Sequence, residues 1–172
     1  HRLIAIGVSI RDRSACQRTV PLNHQYFSTI DSEGKAYWLG FLLADGSISG
    51  NEIRIALKAE DRTHLLKLRT ALGSEHTITD YTNGTYPAAA LAFKSPAMVA
   101  NLSALGVTAR KSLTAVPPSI TADLQQHFWR GVFDGDGNLY VPKSGATYHV
   151  MVRLYGSDET CCAFRDWIQL TC

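Results

Sequence analysis

The sequence predicts an α+β protein made of two copies of one unit, the second copy incomplete. Three observations carry this. A motif ending in Asp-Gly occurs twice, alternating apolar residues follow each copy, and a helix signal follows each alternation.

The repeat is read first. Tyr37-Trp38-Leu39-Gly40-Phe41-Leu42-Leu43-Ala44-Asp45-Gly46 aligns with Phe128-Trp129-Arg130-Gly131-Val132-Phe133-Asp134-Gly135-Asp136-Gly137 at a constant offset of 91. The match runs on to Ile48 and Leu139. Asp61-x-Thr63 then matches Asp158-x-Thr160 at an offset of 97, so the second repeat carries about six extra residues, most simply near Pro142–Thr147.

Each unit reads as helix, two strands, helix. The motif helix stops at Asp-Gly, a turn signal. Ile53, Ile55 and Leu57 alternate with Arg54, Ala56 and Lys58. Val150, Val152 and Leu154 alternate with His149, Met151, Arg153 and Tyr155. Such period-two patterns mean strands with one buried and one exposed face. Asp61 and Asp158 are read as N-caps of helices rich in leucine (Leu65, Leu66, Leu68, Leu72) and in aromatics (Phe164, Trp167). The first repeat continues. His76–Tyr81 and Ala89–Phe93 form a strand pair about Asn83-Gly84, and Pro96 opens a helix that Gly106 ends. Residue 172 corresponds to Glu75 of the first repeat, so about 40 residues of a full second repeat are expected beyond it. The first residue is His rather than Met, and the sequence reads as a fragment clipped at both ends, or as a degenerate gene product. The expected organisation is a segment 1–18, a linker 19–34, a first repeat 35–116, a linker 117–127 and a truncated repeat 128–172.

Composition sets limits. Hydrophobic residues at 45% and charged residues at 19% suit an ordinary globular chain, and no apolar run is long enough to span a bilayer. No signal peptide is visible. A net charge of +2 does not by itself point to nucleic acid, so a DNA-binding reading depends on where the charges sit. Cys16, Cys161, Cys162 and Cys172 form no CxxC pair, and the six histidines have no ligand spacing with them. They read as reduced cysteines of an intracellular protein.

The motif carries chemistry through its spacing. Gly40 and Ala44 share one helix face, as do Gly131 and Gly135. Two such faces let helix backbones nearly touch. Docking them would bring Asp45 and Asp136 side by side at two helix C-termini, where repulsion and the helix dipoles call for a cation. A hard divalent ion with oxygen ligands, Mg²⁺ first and Mn²⁺ as substitute, answers this and suits phosphodiester hydrolysis. The backbones of Gly46 and Gly137 lie next to it. Arg54, Lys58, Arg153, His149 and Tyr155 fall on the polar strand faces, with Lys94 and Lys143 near strand ends. A twisted ribbon bearing such residues can enter a DNA major groove.

Trp38–Gly46 and Trp129–Gly137 both resemble the signature of the LAGLIDADG homing endonucleases, and the resemblance spans about residues 35 to 172. It implies two pseudo-two-fold related α-β-β-α-β-β-α repeats joined through the motif helices. It further implies saddle-shaped sheets on a long, asymmetric double-stranded DNA site, and Mg²⁺ on Asp45 and Asp136. A monomer is implied for the intact protein. Lys111, after the last helix of the first repeat, looks like the basic residue that assists the metal centre in this family. Leu43 departs from the acid found at the matching Asp134, a position that is not the metal ligand. Residues 1–18 resemble the tail of a helix-turn-helix module, or form a linker helix. The function this implies is site-specific double-strand cleavage of DNA in a phage or bacterial setting, cytoplasmic or nucleoid-associated. The alternative is a cleavage-inactive relative, an intron maturase or a transcription regulator.

Overall fold

A computed structural model describes residues 20–109, 111, 114–141 and 150–171. The expectations for residues 1–18, for Lys143 and His149, and for the loop insertion near Pro142–Thr147 lie outside the described residues.

The first repeat runs α1 (Glu33–Asp45), β1 (Gly46–Ser49), β2 (Glu52–Lys58), α2 (Arg62–Ala71), β3 (Ile78–Asn83), β4 (Tyr86–Lys94) and α3 (Pro96–Ala104). The second runs α4 (Ala122–Asp136), β5 (Gly137–Tyr140), β6 (Met151–Leu154) and α5 (Asp158–Thr171). The architecture is α+β. Among the described residues, the first sheet has four antiparallel strands in the order β1-β2-β4-β3, and the second has two, β5-β6.

Alternation explains the first sheet. Ile53 and Ile55 are fully buried and sit opposite Phe93 and Leu91 on β4. Leu65, Leu68 and Leu72 of the α2 region, with Met98 and Leu102 of α3, complete that core. The opposite face of the sheet turns outward. The β3–β4 hairpin turns at Gly84, whose φ of 62° suits glycine.

The motif helices form the centre. α1 buries Ala36 and every residue from Trp38 to Leu43, because it lies between its own sheet and α4. A Cβ on Gly40 would collide with the Phe128 carbonyl, and one on Gly131 with the Tyr37 carbonyl. Tyr37 and Phe128 are equivalent positions, so the contact is reciprocal about a pseudo-two-fold axis. Close backbone approach of this kind requires glycine.

Several boundaries differ from the sequence reading. Residues 20–34, read as part of a linker, pack on the first repeat. Phe27 is buried, Asn23 N donates to the Leu72 carbonyl at 2.9 Å, and Glu75 N donates to the Pro21 carbonyl. α1 itself starts at Glu33 behind a Ser32 cap. The linker at 117–127 ends early, because α4 begins at Ala122 and already buries Leu124. Asp61 precedes α2 without a side-chain capping bond, since a single 3₁₀ turn at Ala59–Asp61 leads into that helix. Ser157 rather than Asp158 caps α5, with its Oγ accepting from Thr160 N at 3.1 Å. Gly46 and Gly137 do not turn. Both are extended and pass directly into strands (φ −71° and −90°). Glycine is needed there for space, since a Cβ would strike the Leu42 carbonyl or the Phe133 ring.

Candidate metal centre and nucleic-acid interface

The packing of α1 on α4 decides where the two aspartates lie. Asp45 ends α1 and Asp136 ends α4. At the next pair of small residues, Gly135 faces Ala44. A Cβ there would meet the Ala44 methyl and lie 3.2 Å from Asp45 Oδ2. The Asp45 carboxylate therefore lies across the α4 backbone immediately before Asp136. Both carboxyls are partly buried. Burial pushes the Asp45 carboxyl above its usual range, and the charge of Asp136 adds to this while Lys111 opposes it. Burial raises Asp136 also, again against Lys111.

Lys111 reaches this place from the segment after α3. Its side chain is buried, and Nζ donates to the Ala44 carbonyl at 2.7 Å. That carbonyl belongs to the last turn of α1, where the helix dipole is negative. Burial lowers the Lys111 pKa, while Asp136 and then Asp45 raise it. Gly106 makes the approach feasible. Its φ is 86°, and a Cβ would strike the Val116 carbonyl, so the chain returns on itself around Lys111.

Two cavities flank the aspartates, and the repeat relates them. One, of about 250 Å³, is lined by Asp136, Lys111, Tyr155, Ser157 and Thr160. The other, of about 650 Å³, is lined by Asp45, Lys58, Glu60, Thr63 and His64. Asp45, Lys58, Glu60 and Thr63 are the repeat equivalents of Asp136, Tyr155, Ser157 and Thr160. Lys111 and Ala115 form part of the wall of the smaller cavity.

The donor set suits a hard cation. It offers two carboxylates whose ionised forms are disfavoured where they sit, and helix-end carbonyls beside them. Among the described residues neither aspartate lies within ion-pair distance of a basic side chain. Nor do the described residues hold a cluster of three or more His, Cys, Asp or Glu. A Mg²⁺ ion is commonly held by one or two carboxylates with water and substrate phosphate making up the rest, so two acids suffice.

The outward sheet face carries the predicted basic residues. Arg54 and Lys58 share the outer parity of β2, and Lys94 of β4 sits opposite Glu52 on that face. Arg54 lies over the Tyr81 ring, 5.3 Å from its centroid. Between them the floor is made of Ala56, Ala88, Ala90 and Ala92, in register across β2 and β4. Ala88 and Ala90 are buried there, so this face has little side-chain bulk of its own beside its basic and aromatic residues. On the second ribbon Arg153 lies over Tyr140, and Tyr155 is exposed beside the Asp136 cavity. The alanine floor escaped the sequence reading, because a run such as Ala88-Ala89-Ala90 by itself favours helix over strand.

No family model and no curated protein matches this chain. Among solved structures it is similar to a LAGLIDADG homing endonuclease. That structure is described as the I-LtrWI enzyme bound to target DNA, and the two share 13% identity with a TM-score of 0.41. The overlap covers 76% of this chain and 66% of the other, just under two thirds of its length. A likeness this distant assigns no role to any residue.

A second polar group distinguishes the two halves. Tyr37 Oη donates to Asp134 Oδ2 at 2.7 Å and lies 3.0 Å from His64 Nε2. Arg130 sits over the Tyr37 ring. The equivalents of Tyr37, His64 and Asp134 in the other half are Phe128, Cys161 and Leu43, none of which can reproduce it.

Proposed function

We propose that the chain is the core of a divalent-metal-dependent DNA endonuclease. The observation that carries this is the meeting of Asp45, Asp136 and Lys111 at the ends of two helices docked backbone to backbone. Asp45 and Asp136 would hold Mg²⁺, or Mn²⁺ in its place. Such an ion, when bound, supplies charge neutralisation at a phosphodiester and a more acidic water.

The chain's own residues do the rest. The two carboxylates accept from water and fix its direction. Lys111, held on the Ala44 carbonyl, brings positive charge to the side of Asp136 and opposes charge on a phosphate oxygen. Arg54, Lys58 and Lys94 engage backbone phosphates or base edges from the first sheet, and Arg153 and Tyr155 from the second.

The test is Asp45→Asn in the full chain. Mg²⁺-dependent cutting is expected to be lost and salt-sensitive DNA binding retained. Cutting that survives the substitution sinks the metal-ligand role. The alternative is a binder that does not cut, an intron maturase or a transcription regulator. A mobility shift with no cleavage of any tested site under Mg²⁺ or Mn²⁺ decides for it.

A further inference from the structure

We infer that Ser157 and Thr160 are positioning residues for Lys111, clamping the turn that carries it from the far repeat. The inference rests on the reading of Lys111 as part of the site just proposed. Ser157 Oγ donates to the Ala115 carbonyl at 2.5 Å, and Thr160 Oγ1 donates to the same oxygen at 3.2 Å. All three residues are buried. Ala115 N in turn donates to the Lys111 carbonyl at 2.8 Å, and Thr114 N donates to it at 3.0 Å. The series then ends with Lys111 Nζ on the Ala44 carbonyl. One repeat supplies the lysine, and the other supplies the grip that fixes its backbone.

The bonds to the Ala115 carbonyl go beyond a helix cap, because they tie the start of α5 to the segment that carries Lys111. Ser157 has two separable tasks. Its oxygen accepts from Thr160 N as the cap of α5, and its hydroxyl donates to Ala115. An aspartate performs the first task and cannot perform the second, because an ionised carboxylate only accepts.

The experiment reads Lys111 directly. The full chain is treated with an amine-acylating reagent, and labelling of Lys111 and of exposed Lys94 is followed by mass spectrometry. Lys111 is expected to label slowly in the native chain. In Ser157→Asp and in Thr160→Val it is expected to label about tenfold faster, the ratio that loss of one or two net hydrogen bonds produces, with Lys94 unchanged. Ser157→Thr keeps both tasks and is expected to keep Lys111 protected. Native circular dichroism of each variant is the condition for counting it, and Ser157→Asp and Thr160→Val perturb folding in different ways. If both leave Lys111 as protected as in the parent chain, the clamp is overturned. Labelling needs no catalysis, so a chain that never cuts DNA but releases Lys111 in these variants keeps the clamp and loses only the nuclease reading.

Discussion

Tyr37, on α1, donates its hydroxyl hydrogen to Asp134 Oδ2, on α4, at 2.7 Å. The bond spans the interface between the repeats on one side of the pseudo-axis only. Tyr37→Phe, which installs the residue found at the equivalent position 128, is expected to cost about 1 kcal/mol, the net worth of one such bond. Urea unfolding with an unchanged slope checks it.

The same group predicts a pH window. Burial first, and then the bond to Asp134, raise the Tyr37 hydroxyl above its ordinary 10.0. A pKa raised on folding gives stability that is complete below the unfolded value and lost as pH climbs past it. Burial lowers the His64 pKa below 6.5. That contribution is complete above the unfolded value and is lost as pH falls through the folded one. Stability from this group is therefore expected to be greatest from neutral to mildly alkaline pH. Thermal melts of Tyr37→Phe against the parent, from about pH 5 to 11, should show the difference shrink at the alkaline end.

Gly40→Ala is expected to be severe. The new methyl would meet the Phe128 carbonyl, which belongs to a helix backbone and cannot rotate away. The expected loss is about 3 kcal/mol or more, despite the gain of about 1 kcal/mol in helix propensity. Gly34→Ala, in the first turn of the same helix, meets nothing nearer than the Tyr26 hydroxyl at 3.9 Å and is expected to stabilise. Paired denaturation curves separate steric cost from propensity.

Metal binding should appear in stability before it appears in activity. The raised Asp45 and Asp136 carboxyls stabilise the metal-free chain below about pH 4, and that contribution fades as pH rises through their folded values. At neutral pH without metal, Asp45→Asn is expected to melt about 3 °C higher than the parent. Millimolar Mg²⁺ is expected to raise the melting temperature of the parent and leave the variant unmoved. Equal shifts in both would remove Asp45 from the metal site.

Binding to DNA should depend on the outer sheet faces. Removing Arg54, Lys58, Lys94 or Arg153 singly is expected to lower the slope of log affinity against log salt by about one for each phosphate that is no longer neutralised. An unchanged slope for all four would place the duplex elsewhere.

Much of this was legible because local patterns and the fold agree. The repeat placed both motif helices, period-two alternation placed β2, and the Asn83-Gly84 turn placed the β3–β4 hairpin. Gly40 and Gly131 could be read as an interface because an i, i+4 small pair has few other uses. What stayed hidden depends on distant partners. Tyr37, His64 and Asp134 meet only after α1, α2 and α4 have packed. Ser157 was overshadowed by Asp158, which is as good a cap in isolation. The early start of α4 was obscured because Asp123, Gln125, Gln126 and His127 are all polar, leaving Leu124 as the single apolar cue. Lys111 had no local pattern at all, and only the resemblance singled it out.

Ala44 and Gly135 occupy one place on the pseudo-axis, and there is room for a single methyl between them. Two copies of the first repeat brought together in this geometry would set two alanine methyls inside one another's contact radius. Self-association of that half is thereby disfavoured by one carbon atom, while its union with the second half is permitted. The interface discriminates between kin, so the two halves are no longer interchangeable, and each is free to diverge in the DNA half-site it would face.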